Sequence, residues 1–520
     1  MSDRWGNSAA DHPREPGEPS SGSESGPESR SGPESGPDFH LELDGKGTLR
    51  EQIMRALREA IGSGRLAPGT RLPPYRSLAR DLGLALNTVG EAYGELVAEG
   101  WLVARQGSGT RVARRSTPLP PDHTRRSAPP LRRPVYDLMP TSPDAATFPR
   151  PAWQTSARRA LHAAPNDAFG VGDPRGRVEL RTALTEYLAR ARGVRTAPHR
   201  IIVCAGFAHA LSMLGQVLDG AVAVESYGLG FHRSLLTGAG RHTVPLSVDA
   251  RGAVIDELPA TGAEAVLLTP AHQFPTGGPL HPERRAAVID WARAGGGLVI
   301  EDDYDGEFRY DRQPVGAVQG LDPDRVVYIG STSKSLSPAL RIGWMAVPDR
   351  LVDDVLSVKG ARELWTGSLE QLTLADFIAC GAYDRHLRRM RLKYRRRRDR
   401  LVATLGARAP HIGIGGIAAG LHAVLDLPPG TEQAAVRAAS RQGLALEGLA
   451  AYRHPDSAMP PRDGLVVGYG TPPDHAFDGA LAALCLALPE PEQPHGQGPA
   501  SRGGRPAGPC GDEAECPPYR

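Results

Sequence analysis

The chain has 520 residues, too many for one ordinary domain. Its 61 Lys and Arg against 59 Asp and Glu leave a net charge of +2, which excludes no class of partner, so the distribution of charge carries more than its sum. Five cysteines, Cys204, Cys380, Cys485, Cys510 and Cys516, follow no metal-ligand spacing and are odd in number; with no basic-then-apolar leader and no run of about 18 apolar residues, a reducing cytoplasmic compartment is expected, without metal, disulfide framework or membrane span.

Residues 1–45 are rich in Ser, Gly, Pro and Glu, with almost no aliphatic side chain before Leu41. They cannot bury enough surface to offset chain entropy, so an unstructured acidic tail is expected. Residues 489–520 share the Pro and Gly character and the expectation.

Residues 46–114 read as a first domain. Leu49, Ile53, Leu57 and Ile61 recur every four residues and predict a helix ending near Ser63-Gly64. After the turn residues Gly69, Pro73 and Pro74, a short helix is expected from Ser77 to Leu82, ended by Gly83. A longer one runs from Asn87 to Ala98 with Val89, Ala92, Tyr93 and Leu96 inward. Two helices joined by a glycine-containing turn are the unit that sets a recognition helix in the DNA major groove. Trp101–Arg105 and Thr110–Val112 alternate as strands around Gln106-Gly107-Ser108-Gly109, a hairpin wing. From Leu49 to Arg115 there are 11 Arg, no Lys and 6 acidic residues, a local positive excess suited to phosphate contacts. Residues 115–134, with Arg125-Arg126 and Arg132-Arg133, read as a semi-stiff basic linker, either sweeping along DNA or serving as a solvated tether.

A second domain is expected over 135–488. Ile201-Ile202-Val203 predicts a strand, and Ala205-Gly206-Phe207-Ala208 opens a helix whose first amides, those of Phe207 and Ala208, suit a phosphate. Leu298-Val299-Ile300, a buried-strand run, delivers Glu301-Asp302-Asp303-Tyr304-Asp305 to its end. Val326–Ile329 does the same for Ser331-Thr332-Ser333-Lys334, with Gly330 read as the residue that breaks the strand. Open α/β sheets bind ligands at such strand ends. A desolvated lysine is a nucleophile toward an aldehyde, and Ser331, Ser333 and the forked donor Arg341 would hold an anion beside it. A carboxylate, Asp302, and a phenol, Tyr304, are what the ring nitrogen and ring oxygen of pyridoxal phosphate (PLP) require. The reading is a Schiff base between Lys334 and PLP. Taken singly, each run also fits a solvated loop lysine or an acidic surface turn.

Downstream, Lys359 to about Leu405 reads as one long helix with Leu387, Met390, Tyr394 and Leu401 as its buried stripe. Its basic face, from His386 to Arg391 and Arg395 to Arg398, suits either a second DNA surface or plain solvation. Gly420–Leu425 and Leu465–Tyr469 predict strands of a small C-terminal subdomain.

Leu49–Gln52, Gly64–Gly69, Leu72-Pro73, Arg76, Asn87-Thr88-Val89, Glu91-Ala92-Tyr93, Leu96, Glu99-Gly100 and Gly107–Thr110 resemble the GntR-type DNA-binding domain, and the downstream portion resembles fold-type I aminotransferases. That fusion marks the MocR subfamily of bacterial transcription regulators, and the resemblance spans about Leu49 to Gly470 apart from the linker. It implies an α/β chain: an N-terminal winged helix-turn-helix, a large fold-type I PLP-dependent transferase-like domain and a small C-terminal α+β subdomain. It implies operator contacts from Arg76, Asn87 and Thr88, joined by Arg105 in the wing. It also implies a homodimer, with Gly172–Gly176 closing over the cofactor at the subunit interface. Several positions depart from the pattern. Near Ala208 and His209, where the family commonly has glutamine, side-chain support of the phosphate is expected to be reduced. Leu86 stands where a basic residue is usual, Leu229 where an aromatic stacks on the ring (with Tyr227 or Phe231 as substitutes), Phe274 where asparagine meets the ring oxygen, and Val466 where arginine grips a substrate carboxylate (with Arg453 or Arg462 as substitutes). His209 is expected to pack rather than react, and His272 either to approach the cofactor or to support its turn. The expected function is a transcription regulator whose effector is PLP or an amine or amino acid exchanging with Lys334. The alternatives are an active aminotransferase with a DNA-binding head, and a repressor that has lost its cofactor.

Overall fold

A computed structural model describes residues 41, 43–105, 107–114, 134–140, 142–310, 315–360, 366–416 and 419–491. The expectations for the linker and for nearly all of both tails fall outside these residues. The chain divides into two units, Met1–Leu131 and Arg132–Arg520.

In the first unit α1 (Leu49–Gly62) starts on a capping box: Glu51 N donates to Thr48 Oγ1 at 3.3 Å and Thr48 N to Glu51 Oε2 at 2.8 Å. The next helix, α2 (Tyr75–Asp81), begins two residues before the expected Ser77 because the Pro74 carbonyl accepts from Ser77 N and Leu78 N. The third, α3 (Leu86–Ala98), carries Val89, Ala92, Tyr93 and Leu96 into a core shared with Ile53, Leu57, Ile61 and Leu78. Leu49, expected on the inner face, is 46% exposed; it opens the helix one turn short of buried Ile53. Leu41, placed by its surroundings in the unstructured tail, is buried against this core, with Leu43 packed beside it. The alternation of Leu41 and Leu43 covers apolar surface that the tail's composition concealed. β1 (Leu102–Arg105) and β2 (Gly109–Val112) form the antiparallel wing, and Thr70–Leu72 joins it, Leu72 N donating to Thr110 O and Val112 N to Thr70 O, both at 2.9 Å.

The second unit is built on a seven-stranded sheet. In chain order its strands are β3 (Ile201–Cys204), β4 (Val222–Glu225), β5 (Thr243–Leu246), β6 (Ala265–Leu268), β7 (Leu298–Asp302), β8 (Val326–Ser331) and β9 (Gly343–Ala346). Their spatial order is β3-β9-β8-β7-β6-β4-β5, with β9 antiparallel to both neighbours and the other pairs parallel. β3, β4, β6, β7 and β9 are buried along their whole length and β8 up to Ser331, which is why these strands read as apolar runs rather than alternating ones. One reading is corrected. Gly330 does not end β8, which continues through Ser331; a Cβ there would lie 2.6 Å from Trp344 Nε1 on β9, so glycine admits the indole rather than breaking the strand.

A second sheet makes the small subdomain: β10 (Gly413–Gly415), β11 (His422–Asp426), β12 (Glu447–Gly448) and β13 (Gly464–Gly468), antiparallel in the order β10-β11-β13-β12. The helix α4 (Phe207–Val217) follows β3. The single helix expected from Lys359 to Leu405 is instead interrupted. One helix ends at Lys359, another spans Ser368–Ala379, and α5 (Ala382–Arg408) begins after Gly381, whose φ of 70° is a left-handed conformation that stops the preceding turn. The expected stripe of Leu387, Met390, Tyr394 and Leu401 is buried in the main core. Among the described residues no helix is long and apolar enough to cross a membrane.

Candidate ligand pocket and DNA-facing residues

β7 and β8 run parallel as neighbours, with Asp302 opposite Ile329, so the chain that leaves each strand emerges at the same end of the sheet. A cavity of about 510 Å³ opens there. It is lined by Phe207, Ala208, Asp302, Tyr304, Ser331, Ser333, Lys334 and Arg341, which brings together every pocket residue anticipated from the sequence.

The acidic run after β7 is sorted by direction. Glu301 turns away and accepts from Val318 N and Gln319 N, both at 2.9 Å. Asp303 turns into the core and pairs with Arg192. Asp302 and Tyr304 face the cavity, and Asp305 Oδ2 meets His272 Nδ1 at 2.8 Å. Burial, then the neighbouring carboxylates of Asp303 and Asp305, hold Asp302 well above the usual carboxylate range, with Lys334 opposing them. Burial also pushes the Lys334 amine down to about 8, and Asp305 and Asp302 pull it only part of the way back. A cationic partner would satisfy Asp302, while the lysine is tuned to give up its proton.

The loop bearing Lys334 is held from beneath by α5. Tyr383 Oη donates to Ser335 Oγ at 2.8 Å, and His386 Nε2 lies 2.9 Å from the Ser335 carbonyl. At the loop's far end Arg341 has φ 52°, the one positive value outside glycine among the described residues, a conformation that needs support from its surroundings. Its guanidinium lies beside Gly206, from which α4 starts, so the first amides of that helix and the arginine converge on one corner with Ser331 and Ser333. Amides at a helix N-terminus together with a forked cation make an anion site.

Other lining residues were not anticipated. Met139 and Pro140 from the start of the unit, Glu225 at the end of β4, His232 and Arg233, and Glu447 and Tyr452 from the small subdomain complete the lining. Glu225 was legible by the strand-end logic already used; burial pushes its carboxyl up to about 7, against hydrogen bonds from Thr269. Glu447 and Tyr452 gave no signal, because a separate sheet brings them in.

The departures from the family pattern resolve individually. Leu229 lines the cavity. Tyr227, offered as its substitute, is fully buried in the core and does not line it, whereas Phe231 does but is 60% exposed. Phe274 lines the cavity and packs edge-on against Tyr304 with ring centroids 5.7 Å apart. Val466, in the middle of β13, is buried in the core. Neither substitute arginine reaches the cavity: Arg453 donates to the carbonyls of Ser457 and Met459, and Arg462 pairs on the surface with Asp426 at 2.9 Å. His209 accepts from Ala205 N, a packing role. The Gly172–Gly176 turn, where Asp173 pairs with Arg175 and Arg181, lies outside the lining.

In the first unit, Arg76 near the start of α2, Asn87 in the first turn of α3 and Arg105 at the end of β1 are exposed, with Thr88 half-buried. Leu86 is 43% exposed at the first position of α3, so its apolar side chain is presented rather than packed. Arg50, Arg55 and Arg58 on α1 pair with Glu95, Asp44 and Glu99.

A winged helix-turn-helix unit and a mostly parallel sheet with a lysine at its strand-end cavity define the class: a DNA-binding head joined to an aminotransferase-type body. Residues 49–112 match the family model described as bacterial regulatory proteins, gntR family, and residues 142–454 that of aminotransferase class I and II. The chain is 34% identical over 481 residues to the probable rhizopine catabolism regulatory protein MocR of Rhizobium meliloti, covering 86% of this chain and 96% of that protein. It is 33% identical over 444 residues to the pyridoxine biosynthesis transcriptional regulator PdxR of Corynebacterium glutamicum, covering 84% and 95%. The chain belongs to the MocR-type GntR transcriptional regulators. Among solved structures, a kynurenine aminotransferase from Pyrococcus horikoshii superposes with a TM-score of 0.62 at 22% identity, over 69% of this chain and 91% of that one, a likeness of fold.

Proposed function

We propose that this regulator holds pyridoxal phosphate in the cavity through Lys334, and that PLP itself, or an amine or amino acid competing with Lys334 for its aldehyde, is the effector that sets operator affinity. The observation that carries the reading is the convergence of Lys334, Asp302 and the Arg341 corner in one cavity. Bound there, PLP supplies an aldehyde that condenses with primary amines and an electron-withdrawing ring. Lys334 supplies a neutral amine at modest alkalinity. Asp302, a buried carboxylate with two acidic neighbours, would hold a protonated ring nitrogen. Tyr304 would donate to the ring oxygen, and the amides of Phe207 and Ala208 with Ser331, Ser333 and Arg341 would bind the phosphate.

Turnover is not expected. Phe274 offers no donor, Val466 is packed in the core, Arg453 and Arg462 are engaged elsewhere, and Arg233, the arginine that does line the cavity beside Arg341, is held by the carbonyls of Gly228, Tyr452 and Arg453. The name of the relative PdxR puts the cofactor itself first among effectors to test. The head would read its operator through Arg76, Asn87, Thr88 and Arg105. A homodimer is supported by the exposed apolar side chains of Phe169, Val171 and Val178, and the compartment by the DNA partner, the cytoplasm. Regulation requires that the ligand bind two states of the protein unequally.

The test is a gel shift on the chain's own promoter region with and without PLP, run beside absorbance spectroscopy of the purified protein. A visible band lost in Lys334→Ala, and a PLP-dependent shift lost with it, are expected. A colourless protein that cannot be reconstituted, with unchanged DNA binding, overturns the proposal.

A further inference from the structure

Tyr304 is not isolated on the cavity wall. Behind it, away from the lining, His272 Nδ1 lies 3.0 Å from the Tyr304 hydroxyl and 2.8 Å from Asp305 Oδ2. His272 and Asp305 are 3% and 2% exposed. A carboxylate only accepts, so Nδ1 is the nitrogen that carries the proton. With Nδ1 as donor, the Tyr304 oxygen can share that proton only as an acceptor. The hydroxyl's own hydrogen then has two acceptors to choose from, the Asp305 carboxylate, with which the phenol also hydrogen-bonds, and whatever acceptor fills the cavity; the histidine's N–H on Oδ2 competes for the first and so favours the second. Phe274 packs edge-on against the same tyrosine and offers nothing that competes for that hydrogen.

The backbone is shaped around this pair. Gly420, at φ +72°, passes so close that a Cβ would lie 2.4 Å from Asp305 Oδ2 and 2.6 Å from His272 Cε1. The groups facing His272 are few. His422 on β11 lies tilted by 40° with ring centroids 5.1 Å apart and Nε2 3.1 Å from the Pro275 carbonyl, and burial followed by His272 itself holds it well below the usual histidine range. Arg192 and Arg309 line a cavity of about 10 Å³ beside His272 and Asp305. Lys334, across the main cavity, feels the charge of Asp305. Burial, then Asp305 and Asp302, hold the Tyr304 phenol in its protonated form.

We infer that His272, oriented by Asp305, is a positioning residue that fixes Tyr304 as a hydrogen-bond donor into the cavity, where the acceptor is the cofactor's ring oxygen. The inference rests on the cofactor reading above. A donor on that oxygen favours its anionic form and makes the neighbouring lysine-linked nitrogen easier to deprotonate. Losing the donor raises that nitrogen's pKa, which the visible band reports directly.

The experiment is a spectrophotometric pH titration of full-length, PLP-loaded protein. Tyr304→Phe should raise the apparent pKa of the band by about one unit, a tenfold change in the equilibrium. His272→Gln, which removes the donor at the Nδ1 position, should raise it in the same direction. His272→Asn, which puts an amide N–H near that position, should restore it. The decisive comparison is His272→Gln made in the Tyr304→Phe background, where it should add nothing, because the histidine acts through the tyrosine. An equal shift in both backgrounds, or none in either, overturns the inference, as does a band whose pKa moves on EDTA treatment, which would assign His272, Asp305 and His422 to a metal. His272→Phe serves if the glutamine variant does not fold by circular dichroism. A wild-type protein that forms no band fails the cofactor reading instead, so the two failures are distinguishable.

Discussion

Arg192 and Asp303 form a buried ion pair, Nε donating to Oδ2 at 2.6 Å and Nη2 to Oδ1 at 2.9 Å, with the Tyr328 hydroxyl donating to Oδ2 at 2.7 Å. This pairing turns Asp303 into the core and leaves Asp302, one residue earlier, to the cavity. Arg192→Ala strands a carboxylate beside Glu301 and Glu307, whose carboxyls burial already pushes to about 7. A loss of about 3–5 kcal/mol in urea denaturation is expected, since removing one member of a buried pair leaves the other charge uncompensated. A loss of only about 1 kcal/mol, that of an ordinary substitution, would assign Arg192 a packing role only.

Lys334 predicts the pH course of cofactor uptake. Only its neutral amine attacks an aldehyde, and burial sets its pKa at about 8. Mixing cofactor-free protein with PLP should therefore give a visible band whose rate of appearance climbs roughly tenfold per pH unit below that value and levels above it. Lys334→Ala should give no band at any pH. A rate still climbing past pH 9 would place the amine in ordinary solvent.

Arg341 predicts phosphate selectivity. Losing a charge-assisted pair costs on the order of 1.5–3 kcal/mol, so Arg341→Ala should weaken PLP binding by about ten- to a hundredfold. Pyridoxal, which has no phosphate, should bind wild type and variant about equally in parallel absorbance titrations. An equal loss for both compounds would point to a general disturbance of the loop.

In the head, Arg76→Ala and Asn87→Ala should weaken operator binding by about 1–3 kcal/mol each if they reach base edges. Leu86→Lys should steepen the slope of log affinity against log salt by about 0.9, the signature of one added phosphate contact. Gel shifts at four salt concentrations measure both. An unchanged slope would mean that the first residue of α3 does not face the backbone.

The pocket was legible because its key residues stand directly after apolar strand runs, and parallel strands discharge at one end. Asp302 and Lys334 needed only that rule. His272 was read as approaching the cofactor or supporting its turn, but its pairing with Asp305 was not legible. His272 and Asp305 are separated by thirty-three positions and meet only because two loops fold toward each other, and Glu447 and Tyr452 arrive from a different sheet. Glycine misled twice: Gly330 was read as a strand breaker when it clears space for Trp344, and Gly381 was overlooked inside a helical pattern when it divides it. Both errors come from reading glycine by local propensity, whereas its neighbours in space and its backbone angle decide what it does.

One helix spans the distance from reactive loop to small subdomain. At its start α5 grips Ser335 through Tyr383 and His386, and further along Arg397 donates to the carbonyls of Tyr469 and Gly470 and pairs with Asp474 at 2.5 Å. Its 27 residues make a rod roughly 40 Å long, stiff along its axis. The lysine loop and the Tyr469–Gly470 turn are therefore fastened to one shaft, so a displacement of either that keeps these contacts would be felt by the other.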